Sequence, residues 1–510
     1  MASSTVGDIA DDPPQEDHVP LGRRIGKGAL WGGASAIVFR VANIGIAIIV
    51  ARLLDPRDFG VFAVAVTVNA ILFNISELGV SANLIRNDLV PASISPTITT
   101  ISIATSSVLA TLMFSTAAPL ARVLGSPAAA GPIRVLSIGV LLVGFFATPS
   151  ALLGREFRQD KRFLAEVLGF IVSSVLLIAL ARAGSGAMAF AWSRVGGQLV
   201  AGSSMVYMAG QRYSLGWKRE QVRSLLRFGL PLAGANLFNY TLLNVDYIAI
   251  GRLLGAVPLG FYLLAFNMSS WASGLLGSMV NSVAGPAFAR VKDDRELVHQ
   301  YLRNAIRAVS TVAFPVSVVS LVFASPIIRT VYGQKWAAAA PALAALAIYG
   351  SVRVLCELYG NVMVGMGRTR TLFLMQLGWL MTLIPAMIVG VRTHGIVGAG
   401  LAHLGVTTLL VLPFYVHLIG GAVSVGWRFV LRAAGPALVG SLVAGAAGSA
   451  AATAASDNLG RLLIGLPVFG VSYLLLLAPW FGSDVRRYLA NRSTHSSVAV
   501  DTSANGVQVP

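Results

Sequence analysis

Apolar stretches long enough to cross a bilayer succeed one another along almost the whole chain, a pattern that leaves few soluble architectures open. They lie near residues 27–50, 59–84, 96–120, 132–153, 163–182, 187–209, 227–250, 259–284, 304–328, 338–364, 371–391, 396–419, 429–452 and 460–482. A helix needs about 20 mainly apolar residues to cross a hydrocarbon layer about 30 Å thick, and only helices or closed barrels satisfy all backbone polar groups there. Barrel strands alternate apolar and polar residues, and these runs do not. The expectation is an all-α polytopic membrane protein with about fourteen transmembrane helices. Composition agrees: the 510 residues are 55% hydrophobic and 12% charged, against roughly 25% charged in soluble domains.

Residues 1–20, polar and acidic with Pro13, Pro14 and Pro20, read as a tail, as do residues 483–510. No basic start with a short apolar core and a small-residue cleavage site appears, so the first run reads as a retained anchor. Lys and Arg concentrate in loops on one side, notably Arg155, Arg158, Lys161 and Arg162, then Arg212, Lys218, Arg219 and Arg223, then Arg290, Lys292 and Arg295. By the positive-inside rule both termini lie in the cytoplasm, in a multi-pass protein of the cytoplasmic membrane. The formal charge of +17 then serves topology and attraction to anionic lipid, and nucleic acid is not expected as a partner. The single cysteine, Cys356, lies in an apolar run and reads as filler.

An internal duplication organises the runs. IIVARLLDPRDFGVFAVA at 48–65 returns as IAIGRLLGAVPLGFYLLA at 248–265, so that Arg52, Gly60 and Phe62 correspond to Arg252, Gly260 and Tyr262. Further along the offset becomes 209, pairing Pro132 with Pro341 and Leu168-Gly169-Phe170 with Leu377-Gly378-Trp379. Two six-helix units follow, an N-lobe at 21–210 and a C-lobe at 225–420, joined by a basic linker at 211–224. Six spans being an even number, the units are related by a pseudo-two-fold axis along the membrane normal. Two extra helices at 429–482 fall outside the duplication.

Polar residues inside spans mark candidate function, because a charge at mid-bilayer costs about 2.5–3.5 kcal/mol on insertion scales. Arg40 has Asn43 one turn on, and either lines a pathway or makes a buried structural pair. Arg194 has Gln198 beside it. Arg353, Glu357 and Asn361 are spaced by four, so Arg353 and Glu357 neutralise one another on one helix face. Asp246 shares a stripe with Asn239 and Asn236, and Asn267 and Asn281 extend the lining. A carboxyl group that binds a proton or cation as it passes between dry and wet surroundings is what ion coupling requires. Asp246 is the first candidate and Glu357 another. Glu77 and Glu166 lie near span ends, where interfacial solvation explains them, although Glu77 remains a coupling candidate. His403 and His417 read as core or interface packing residues, with proton relay as the alternative.

No G-x-x-x-x-G-K-[ST] phosphate loop, H-E-x-x-H, paired-cysteine metal site or nucleophile elbow with a matching His and acid is present. Neither an enzyme nor a resident cofactor is expected, and a chain that burns no ATP takes its drive from H+, Na+, the membrane potential or consumption of product.

The segments ARLLDPRDFGVFAVA, ISELGVSANLIR, VDYIAIGRLLGAVPLGFYLLAF, PAFARVKDDRE and VYGQKWAAAAPALAALA, in this order, resemble the polysaccharide or oligosaccharide flippases of the multidrug/oligosaccharidyl-lipid/polysaccharide exporter superfamily. The similarity runs from Leu21 to about Arg487. It implies two six-helix lobes around a central cavity with two added C-terminal helices, and a substrate consisting of glycan on a polyprenyl pyrophosphate lipid, moved by alternating access. Arg40 matches an arginine frequent in the family's first span and Asp246 a frequent seventh-span acid, while Glu77 stands where aspartate is commoner. Arg40, then Arg194 or Arg353, would offset the pyrophosphate charge, with Asn43, Asn239 and Asn267 along the cavity. The implied partners are the lipid-linked glycan, anionic lipids, and polysaccharide polymerase or glycosyltransferases. A multidrug cation antiporter and a non-transporting assembly scaffold are the competing classes.

Overall fold

The computed structural model describes residues 39–76, 91–156, 158–210, 215–219, 222–223, 240, 243–270, 288, 294–423 and 425–480. Among them every regular element is helical. The chain divides into two compact units, Met1–Ala47 and Ile48–Pro510. In the first, residues 39–47 are helical, and the Asn43 side-chain amide donates to the Phe39 carbonyl one turn back at 2.8 Å.

The second unit holds α1 (Pro56–Ser76), α2 (Pro91–Ser115), α3 (Ala130–Arg155), α4 (Gln159–Arg182) and α5 (Ala187–Ala209). After them come α6 (Val245–Leu254), α7 (Ala256–Ser270), α8 (Arg295–Val322), α9 (Ala340–Gly365), α10 (Thr369–Val406), α11 (Leu412–Val423), α12 (Trp427–Ala452) and α13 (Asn458–Trp480). Nine stretches of the described residues are long and apolar enough to cross a membrane. One of them, Arg370–Gly421, has 52 residues and holds two of the expected spans. Its backbone leaves the helix at His394 (φ −129°, ψ 17°) and Gly395 (φ 58°, ψ −138°).

That break has a twin. Gly186, which opens α5, has φ 54° and ψ −135°, and it lies 209 residues before Gly395, the offset seen in the sequence. A positive φ with this ψ suits glycine alone. Pro132 and Pro341, also 209 apart, both lie in the first turn of their helices, α3 and α9, where a missing N–H costs nothing.

Helix α8 begins about nine residues before the apolar run near 304. Asp294 caps it, accepting from the Leu297 N–H at 3.1 Å, so hydrogen bonding carries the helix into a polar segment that hydropathy does not see. The two helices outside the duplication dock on α8: α12 packs along it, and on α13 the Tyr473 hydroxyl donates to the Thr311 carbonyl at 2.7 Å. In the first half α2 packs on α3, α3 on α5 and α4 on α5; in the second, α9 packs on α8 and α10, and α6 on α10.

Candidate functional site: a glycine seam and a polar cavity

The two copies of the repeat meet. A Cβ added at Gly60 would run into the Ala256 carbonyl, and one added at Gly260 would run into the Pro56 carbonyl. Each copy therefore needs its glycine to let the partner's backbone approach. Around this crossing the exposed carbonyls of one half meet donors of the other. The helical stretch through residue 53 ends at the repeat, leaving its last carbonyls without intrahelical partners. The Trp336 indole N–H donates to Ala51 O at 2.8 Å, and the Lys335 ammonium donates to Leu54 O at 2.7 Å and Arg52 O at 3.2 Å. A cation at a helix C-terminus also favours the dipole. In return Arg52 donates to Val331 O at 2.8 Å and Thr330 O at 2.6 Å.

Trp336 is fully buried, with Phe59 and Phe261 edge-on at 4.8 and 6.0 Å between ring centroids. The Lys335–Asp55 ion pair at 3.3 Å adds little, since Asp55 is 75% exposed. Close by, between spans, burial pushes the Tyr332 hydroxyl well up, so it stays protonated.

A second polar centre lies inside the C-terminal half. Helices α6, α7, α9 and α10 enclose a cavity of about 320 Å³ lined by Asp246, Tyr349, Arg353, Glu357, Trp379 and His403, among others. Asp246 is 2% exposed. Its Oδ1 accepts from the Tyr247 backbone N–H at 2.9 Å, and its Oδ2 accepts from the Tyr262 hydroxyl at 2.8 Å. The His403 Nε2 lies 3.4 Å from Oδ2. Tyr349 stacks on the imidazole with ring centroids 4.7 Å apart. Desolvating a lone carboxylate costs several kcal/mol, and these partners offset it. Arg353 donates from Nε to Glu357 Oε1 at 3.0 Å, the pair expected from their spacing, so the two charges cancel within the cavity.

Asp246, Glu357 and Arg353 thus come together. Arg194, on α5, is exposed and makes no ion pair among the described residues; its neighbour Gln198 is spent on the Gly139 carbonyl at 2.9 Å. Asn267 is exposed and is not part of the cavity lining, so it does not extend a polar wall with Asp246. Arg40 is half-buried and Asn43 exposed, within the first unit. Glu77, Asn239, Asn236 and Asn281 lie outside the described residues. The sequence ranked His403 as packing ahead of proton relay, and it gave Tyr262 only as the repeat partner of Phe62. The signal was in the duplication: His403 is 209 residues after Arg194, each eight residues after its positive-φ glycine.

A duplicated helical bundle with a glycine seam and a buried carboxyl beside a cavity has the fold of a polytopic membrane transporter. Residues 49–341, more than half of the chain, match the polysaccharide biosynthesis protein family, and the chain belongs to that family. It is 23% identical over 398 residues to the lipopolysaccharide biosynthesis protein WzxC of Escherichia coli (strain K12), across 77% of this chain and 80% of that protein. It is 28% identical over 335 residues to the succinoglycan biosynthesis transport protein ExoT of Rhizobium meliloti (strain 1021), across 64% and 66%. Among solved structures, the lipid II flippase MurJ in an inward closed conformation superposes with a TM-score of 0.72 at 13% identity, over 88% of this chain and 99% of that one. An inward-facing multidrug resistance MATE family transporter superposes with a TM-score of 0.59 at 18% identity, over 74% and 94%.

Proposed function

We propose that the protein is a secondary-active flippase moving polyprenyl-pyrophosphate-linked glycan, or a related polysaccharide unit, across the cytoplasmic membrane by alternating access. The observation that carries this reading is the seam. Its contacts are hydrogen bonds to helix-end carbonyls and a crossing of glycines, which can part without unfolding either half. With both termini cytoplasmic, the seam lies on the outer side, and its parting opens the protein to that side. Membership of the polysaccharide biosynthesis family, and relatives named for lipopolysaccharide and succinoglycan, support a glycan cargo. Arg40 is assigned to the pyrophosphate, through charge-assisted hydrogen bonds. Because Glu357 is committed to Arg353, Asp246 is the coupling acid. Anionic lipids and the polymerase or glycosyltransferases of the same biosynthesis are its partners.

The test is translocation of a polyprenyl-pyrophosphate-linked glycan by purified protein in vesicles. Arg40→Ala abolishes it while the gel-filtration profile stays that of the parent; full retained activity overturns the reading. One observation favours a multidrug cation antiporter instead: the cavity has aromatic walls, including Phe266, Tyr349 and Trp379, around the acid Asp246, and such a lining suits an organic cation. Uptake of an organic cation by the same vesicles, without glycolipid movement, would select that alternative.

A further inference from the structure

Asp246 and His403 form a contact that the transport reading does not yet use. We propose that the two, with Tyr262, constitute a proton-binding site of the C-terminal half, so that the coupling ion is H+ and not a metal cation. This deepens the transport reading and rests on it for the word coupling, whereas the site itself can be tested alone.

Geometry supplies the first reason. A hard cation is held by a shell of several oxygen acceptors whose lone pairs point inward. Here the carboxylate of Asp246 is met by donors: the Tyr247 N–H on Oδ1, and the Tyr262 O–H on Oδ2 with the imidazole Nε2 nearby. A metal ion at that point would face the same donors. Among the described residues no group of three or more His, Cys, Asp or Glu is placed to hold a metal ion. A proton needs no such shell, because it bonds to a single atom of the carboxyl or the imidazole, and the other group accepts a hydrogen bond or shifts its own proton to match.

The second reason is the imidazole's far side. His403 is 6% exposed, and its Nδ1 is buried with no hydrogen-bond partner among the described residues. A doubly protonated ring would leave an N–H donor unpaired there, which is expensive. In the closed state the neutral ring therefore carries its one proton on Nε2, facing the ionised carboxylate of Asp246, and the pair takes up no further proton. Opening the C-terminal half to water gives Nδ1 a partner and allows the pair to gain or lose a proton. Proton load and conformation are then linked, as coupling demands. The other groups facing the site are Tyr247 beside Asp246 on α6, Tyr349, Arg353, Cys356 and Glu357 from α9, and Phe266 from α7. Arg353 and Glu357 are paired with one another, which leaves Asp246 and His403 facing each other.

The duplication supplies a third, independent reason. Residues 200 and 209 positions earlier are Ile46 for Asp246, Phe62 for Tyr262 and Arg194 for His403. The acid, its hydroxyl donor and its imidazole are all replaced together by two apolar residues and a permanent cation. A trio that appears in one copy and is wholly absent from the other is a functional unit of that copy.

Two measurements on the purified full-length protein in lipid nanodiscs test this. Infrared difference spectra across a pH step show a protonated-carboxyl band that titrates reversibly and is lost in Asp246→Asn. In His403→Gln, with an unaltered gel-filtration profile, the midpoint of that band moves by about one pH unit or more. Tyr262→Phe also moves it, which keeps the test decisive should Asp246→Asn not fold. The thermal unfolding midpoint is the same in sodium and choline chloride at equal ionic strength. A saturable sodium-specific rise, no titrating carboxyl band, or a midpoint untouched by His403→Gln overturns the proposal. Neither measurement needs a glycolipid, so a failure to move glycolipid in vesicles sinks the cargo reading and leaves this one standing.

Discussion

In the repeat at 48–65, Arg52 is fixed by two carbonyls of the opposite half; in the repeat at 248–265, Arg252 is exposed and has no hydrogen-bond partner among the described residues. Position 62 is a phenylalanine stacked on Phe190 at 4.6 Å, and position 262 a tyrosine bonded to a buried acid. Only the glycines do the same work in both, each admitting the other copy's backbone. What the duplication retains is the geometry of the crossing, where any side chain is a collision. The remaining positions were free to diverge, the first copy toward closing the seam and the second toward holding an ionisable group.

This contrast can be broken in graded ways. Trp336→Ala removes a fully buried indole and its bond to Ala51, and lowers stability by about 3–5 kcal/mol, read by thermal unfolding in nanodiscs. Next comes Gly60→Val, which opposes closure by about 1–3 kcal/mol through overpacking; a cysteine pair placed across the seam should then cross-link less than in the parent, and equal cross-linking would mean the crossing is not where closure is decided. Arg52→Gln gives up charge-assisted bonds worth about 1.5–3 kcal/mol, whereas Arg252→Gln stays within about 0.5 kcal/mol. Equal effects of these two would erase the asymmetry between the copies. Asp55→Asn is also small, below about 0.5 kcal/mol and weaker still at high salt, because its ion pair with Lys335 is solvent-exposed.

Much of the fold was legible because membrane residence forces it. Apolar runs have to be helices, and the ends of α3, α5 and α9 fall within a few residues of where hydropathy put them. The start of α8 was missed since a cap at Asp294, and not apolarity, decides it. For the site, the spacing of Arg353 and Glu357 announced their pairing, because residues four apart share a helix face whatever surrounds them. Asp246 stood out as an acid in an apolar run. His403 did not, being 157 residues away from it.

By itself, then, the sequence determined class, helical identity and duplication, all of which follow from local composition and spacing read along one dimension. Only the tertiary structure decided that VYGQKWAAAAP is half of a clasp, that Gly60 and Gly260 are opposite sides of one crossing, and that His403 faces Asp246. Those are facts about which surfaces meet, and packing of helices far apart in the chain fixes them. No residue carries in its own neighbourhood the identity of the partner it will touch.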